Sequence, residues 1–152
     1  MAKKSYRQAS LKRDGGRFML IPLSVLESEA YIQASSHSKM LLLDLFMQYR
    51  GDNNGDLCAA WKVMRRRGWK SEATLNRAKK QLIELGLIVE TRKGARPNKA
   101  SLYAVTWCAL DECNGKLDIS FHAFPRGAYK LRNVLPPLAP RIASLATAFV
   151  AG

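Results

Sequence analysis

The chain of 152 residues carries 25 Lys and Arg against 12 Asp and Glu, a net charge of +13, and is 47% apolar. That length and apolar share suit one domain with a packed core rather than a disordered chain, and the charge calls for an anionic partner, nucleic acid before a membrane surface. No uninterrupted apolar run long enough for a transmembrane helix appears, and residues 1–17 hold no apolar stretch of the secretory kind, so no membrane partner and a cytoplasmic location are expected.

The charge is uneven along the chain. Residues 1–17 hold six basic side chains and one acidic, and residues 57–107 hold twelve and three, so the basic footprint has two centres. The first is an arm with few apolar residues that carries Lys3, Lys4, Arg7, Lys12, Arg13 and Arg17. It suits following phosphates or entering a minor groove, and equally a solubilising tail. Phe18 to Ile21 predicts a short β-like run halted by Pro22. Ser24 and Glu27 have the spacing of a capping box, which predicts a helix to about Ile32. Within 38–49, KMLLLDLFMQY is apolar on nearly every side and predicts a centrally buried helix, capped by Ser35 or Ser36. Gly51-Asp52-Asn53-Asn54-Gly55 is a turn, and it lacks the acidic spacing and closing Glu of a calcium loop.

Asp56 to Cys58 predicts a brief strand and Ala59 to Arg67 a helix with Ala60, Trp61 and Met64 inward, ended by Gly68. Gly68-Trp69-Lys70 is then the short turn of a helix-turn-helix. The stretch SEATLNRAKKQLIELG, 71–86, places Leu75, Ala78, Leu82 and Leu85 on one helical face and Ala73, Asn76, Arg77, Lys80 and Glu84 on the other. Ser71 suits the N-cap and Gly86 the residue after the C-cap. Leu87 to Thr91 and Ser101 to Trp107 predict two strands around a loop over 93–99. Arg92, Lys93, Arg96 and Lys99 at its tip are too close together to be screened from one another, and sit more easily beside phosphates.

Beyond Trp107, Cys108 to Gly115 has turn character, and Pro136, Pro137 and Pro140 make a stiff spacer. Arg141 to Val150 then places Ile142, Leu145, Ala146 and Phe149 at helical spacing. Roughly ten residues form a helix in water only with help, so this face is expected to dock on its own fold, in a homodimer or on another protein. Cys58, Cys108 and Cys113 are too few for a disulfide framework, and Cys108, Cys113 and His122 lack a fourth zinc ligand. No P-loop, nucleophile elbow, zinc-protease pair or dinucleotide fingerprint occurs, so neither enzyme activity nor a metal or cofactor is expected.

From about Ser35 to Trp107 the order helix, short strand, helix, turn, helix, hairpin resembles a winged helix-turn-helix domain. The residues that carry this are GDNNGDL, RRRGWKSEATLNRAKKQLIELGLIVETRKG and SLYAVTW. They are similar to small DNA-binding proteins and replication-initiator domains of phages, plasmids and integrative elements. The resemblance implies an α+β fold, a three-helix core with a β-hairpin wing over 18–107, between a basic arm at 1–17 and an extension at 108–152. It also implies that the Ser71 helix enters the major groove of double-stranded DNA while the 92–99 wing lies along the backbone or the adjacent minor groove. The side chains agree with those places. Asn76 has the amide for adenine, Arg77 the fork for guanine, Lys80 a point charge, and Ala73 a methyl for thymine. Arg65, Arg66, Arg67, Lys70, Ser71, Arg92, Lys93, Arg96 and Lys99 are expected at the DNA backbone. The expected function is a transcriptional regulator or replication accessory of a phage or plasmid. The competing expectation is an interaction or inhibitor protein that binds a host nucleic-acid-processing complex.

Overall fold

Serines in extended backbone open most of the longer helices of this chain, whose computed structural model describes residues 12–134. Ser35 accepts from the Ser38 amide to cap α3, Ser36–Phe46, and Ser71 accepts from the Thr74 amide to cap α5, Glu72–Glu84. The expected capping box of Ser24 and Glu27 does not form. Pro22 precedes the first helical residue, α1 is the single turn Leu23–Leu26, and the chain restarts at Ser28, which caps α2, Glu29–Gln33. Proline at that point fixes its own φ for helix entry, and Ser28 Oγ bonds both the Tyr31 amide and the Val25 carbonyl, so the break is stabilised from two sides. Phe18 to Ile21 forms no strand, and Phe18 to Leu20 lie exposed.

The helix expected over 59–67 is shorter and tighter than its period suggests. It is an α-turn, α4 over Trp61–Met64, continued as a 3₁₀ turn over Arg65–Arg67. Both α4 and α5 end in the same way, on a glycine at positive φ. Gly68 donates to Arg65 and Trp69 to Met64, while Gly86 donates to Ile83 and Leu87 to Leu82. These are the paired bonds of a Schellman motif, and they satisfy carbonyls that a helix end otherwise leaves open.

Three short strands, β1 (Leu57–Cys58), β2 (Ile88–Arg92) and β3 (Leu102–Val105), form an antiparallel sheet in the order β1-β3-β2. A bulge between Glu90 and Arg92 turns Thr91 inward, where its hydroxyl donates to the Gly55 carbonyl at 2.6 Å. Alternation divides the sheet's side chains between two layers. Ile88, Tyr103 and Val105 join the main core with Leu41, Leu42, Leu45, Met64, Leu75 and Leu82 from the helices. Ala104 and Val89 meet Leu110, Phe124, Leu117 and Ile119, so residues 110–124 cover the sheet's other face. Tyr129 reaches the main core as well, and the 3₁₀ helix Ala128–Val134 packs on α2. Side chains that follow Trp107 thus pack on both layers of the sheet. The fold is α+β.

Buried Asn54 ties these layers together. Its amide donates to the carbonyls of Val105, Cys108 and Ala109 at 3.0, 3.2 and 2.9 Å, and its carbonyl oxygen accepts from the Val105 amide at 2.9 Å. What the sequence marks as a turn residue is thus the polar centre of the core.

Candidate nucleic-acid interface

The inward face of α5 is the one its period predicts: Leu75, Ala78, Leu82 and Leu85 are buried. Ala73, Asn76, Arg77 and Lys80 are all exposed on the outward face, with Glu72 in the first turn. Arg77 Nη2 donates to Thr74 Oγ1 at 3.3 Å, which holds the guanidinium along the helix without covering it. Of the two adjacent lysines only Lys80 faces out. Lys79 is half-buried, and burial lowers its ammonium below the ordinary value against the opposing pull of Glu72, Cys58 and Glu90.

Two polar clusters hold α5 on α3. Gln81 Oε1 accepts from the Ser35 amide at 2.9 Å and from Ser38 Oγ at 2.5 Å, joining the last turns of α5 to the start of α3. At the other end, Asp44 of α3 accepts from Trp69 Nε1 at 2.9 Å and Arg67 Nε at 3.0 Å, one bond to each oxygen. Trp69 is itself buried, with His37 at a ring distance of 6.0 Å. The turn between α4 and α5 is therefore anchored by its middle residue. Sequence alone places Trp69 in that turn without its anchor, although a tryptophan between a glycine and a lysine was the visible signal. Asp44, inside an apolar run, was the other.

The basic residues expected at phosphates separate into two groups. Arg65, Arg66, Lys70, Lys93, Arg96 and Lys99 are exposed, as is Ser71, whose hydroxyl is used as the cap. Arg67 is shared with Asp44, and its side chain keeps 48% exposure. Arg92 is turned into the base of the wing, where Nε and Nη2 donate to the Ala100 carbonyl at 3.2 and 2.8 Å. It braces the hairpin rather than extending from its tip. The hairpin is closed by reciprocal backbone bonds between Ala95 and Lys99 and by Ser101 Oγ accepting from the Gly94 amide. A side chain at Gly94 would meet the Lys99 carbonyl at 2.8 Å, so this close approach needs glycine.

The arm divides similarly. Arg17 Nη2 donates to the Tyr49 carbonyl at 2.8 Å and caps the chain leaving α3, while Arg13 lies 4.5 Å over the Phe18 ring and Lys12 is exposed. Lys3, Lys4 and Arg7 lie outside the described residues, as do Ile142, Leu145 and Phe149. Cys108 and Cys113 are partly buried thiols, both pushed up in pKa mainly by burial. Among the described residues no group of three or more His, Cys, Asp or Glu is arranged to hold a metal ion, and no helix is long and apolar enough to cross a membrane. Compared with protein-family models, curated proteins and solved structures, the chain matches none.

Proposed function

We propose that this chain is a winged helix-turn-helix protein that binds double-stranded DNA, acting as a regulator or replication accessory of a phage or plasmid. One observation carries the reading. A helix with an exposed Asn76-Arg77-Lys80 face follows a short turn pinned to α3, and leads directly into an antiparallel hairpin whose exposed tip holds Lys93, Arg96 and Lys99. In a winged helix-turn-helix, that order puts side-chain amide and guanidinium groups at base edges while the hairpin tip lies against phosphate.

On this reading, Asn76 pairs with adenine and Arg77 with guanine, Ala73 meets a thymine methyl, and Lys80 reaches a base edge or a phosphate. Arg65, Arg66, Lys70 and the wing tip set the register on the backbone. Selection of bound duplexes from a random pool tests it. Recovery of a shared sequence, bound more tightly than unselected duplex and more weakly as salt rises, is the expected result. Failure to enrich any sequence removes base reading, and salt-independent binding removes the phosphate contacts.

A further inference from the structure

β2 is an outer strand, because β3 lies between it and β1. Such a strand has backbone groups along one edge with no ladder partner. Where β2 runs into the wing, one residue from the segment over the sheet's other face takes two of them. The Asp118 amide donates to the Thr91 carbonyl at 2.8 Å, and the Asp118 carboxylate accepts from the Lys93 amide at 3.0 Å. Thr91 and Lys93 flank Arg92, which is in register with Leu102 of β3, so they present these groups to the same free edge and one residue can bridge both.

Asp118 is held at that edge by its neighbours. Leu117 and Ile119 are half-buried and pack with Ala104, Leu110 and Phe124. A Cβ on Gly55 would come to 2.8 Å from Leu117 Cδ1, so the glycine before β1 leaves room for this packing. Lys116 Nζ lies 3.0 Å from Asp56 Oδ2 on the same loop. Past Lys93 the hairpin is closed by its own bonds, Gly94 to Ser101 and Ala95 to Lys99, and Asp118 ties its base to the segment over the sheet. Charge alone argues against a carboxylate here. It stands at the root of Lys93, the first of the wing-tip cations, and a negative charge opposes an approaching phosphate. The bond to the Lys93 amide gives it a role that its charge does not.

We propose that Asp118 is a positioning residue for the wing: by holding the Lys93 amide it sets the direction in which the tip leaves the sheet, and so brings Lys93, Arg96 and Lys99 to the backbone of a duplex read by α5. This role rests on the duplex-binding reading above. Two substitutions separate geometry from charge. Asp118→Ala removes both the charge and the acceptor, whereas Asp118→Asn removes the charge and keeps an acceptor. If Asp118 acted through its charge alone, both variants would bind duplex more tightly than the parent. Duplex DNA is titrated over a range of salt with the full chain and each variant, and amide exchange at Lys93 is followed by NMR without DNA. Asp118 is exposed, and circular dichroism checks that the fold is kept. Should Asp118→Ala lose it, Asp118→Leu, close in shape and without an acceptor, takes its place under the same outcomes. For Asp118→Ala, weaker binding, a slope of log affinity against log salt flatter by about 1 to 3, and faster exchange at Lys93 are expected. Asp118→Asn should keep the parent's slope and exchange and bind at least as tightly. Unchanged or tighter binding by Asp118→Ala overturns the proposal, as does unchanged exchange at Lys93 in that variant, or a loss of affinity in Asp118→Asn equal to it. A parent that binds no duplex removes the proposed function and this role together, while a parent that binds with a slope untouched by Asp118→Ala removes the positioning role alone.

Discussion

Arg77 stands midway along the outward face of α5, tethered to Thr74 at 3.3 Å and otherwise open to solvent. A guanidinium held in this way has already given up part of its rotamer freedom, which favours a bidentate contact. On the proposed duplex-binding reading, Arg77→Ala is expected to weaken binding to the selected site by roughly 1–3 kcal/mol and to relax the preference at one base pair, measured by competition titration. Equal affinity of parent and variant for selected and random duplex would remove Arg77 from the reading face. Asp44 acts through other residues. Arg67 is half-exposed, so the ion pair contributes at most about 1 kcal/mol. The indole of Trp69 is buried, and leaving its N–H without a partner costs about 1–3 kcal/mol. Asp44→Ala is therefore expected to lower stability by roughly that amount in denaturant unfolding, and Asp44→Asn, which keeps an acceptor, by less. If both variants unfold like the parent, the anchor at Trp69 is not a stabilising one.

The ends of α4 and α5 show how far local chemistry goes. Gly68 and Gly86 both sit at positive φ, 94° and 72°, and both close Schellman motifs. Their surroundings differ. A Cβ at Gly68 meets nothing within 4 Å, whereas at Gly86 it would come to 2.8 Å from the Ala128 carbonyl oxygen. Gly68→Ala is expected to cost about 1–2 kcal/mol, the left-handed backbone strain alone. Gly86→Ala adds an overlap with backbone that cannot swing aside, and thermal unfolding should rank it clearly the more destabilising. The helix stops were legible in the sequence because a glycine after an amphipathic run is a local signal. The closeness of residue 128 was not, because 42 residues separate it from Gly86 in the chain. The same distinction applies to α3, whose apolar composition was evident while the exposure of Met40, Leu43 and Met47 beside buried Leu41, Leu42, Leu45 and Phe46 was not: periodicity says which residues share a face, but not whether anything covers it.

The uneven charge along the chain is kept at the surface of the folded molecule. Asp52 and Asp56 lie on the loop that precedes β1, while Arg65, Arg66, Lys70, Arg77, Lys80 and the wing tip Lys93, Arg96 and Lys99 are exposed on the segments from α4 to the hairpin. If the wing tip lies on phosphates, Lys93→Gln, Arg96→Gln and Lys99→Gln together should flatten the slope of log affinity against log salt by about 3, roughly one for each phosphate no longer neutralised. An unchanged slope would mean that the wing points away from the duplex. Arg92 is left out of that set because it is committed to the Ala100 carbonyl. Removing it tests the hairpin's integrity instead of its reach toward DNA.

The inward face of α5, its cap at Ser71, its stop at Gly86 and the basic character of the hairpin were all determined by the amino-acid sequence, because each rests on neighbours within a few residues, and the α+β class followed from the order of helices and strands. Tertiary structure decided which basic side chains stay free, since Arg17, Arg67 and Arg92 take partners at Tyr49, Asp44 and Ala100. It also made Asn54 a core hub, and it brought residues 110–124 over the sheet. Backbone carbonyls and carboxylates compete with solvent for the same donors, and only the folded geometry brings a particular acceptor within about 3 Å of a particular arginine.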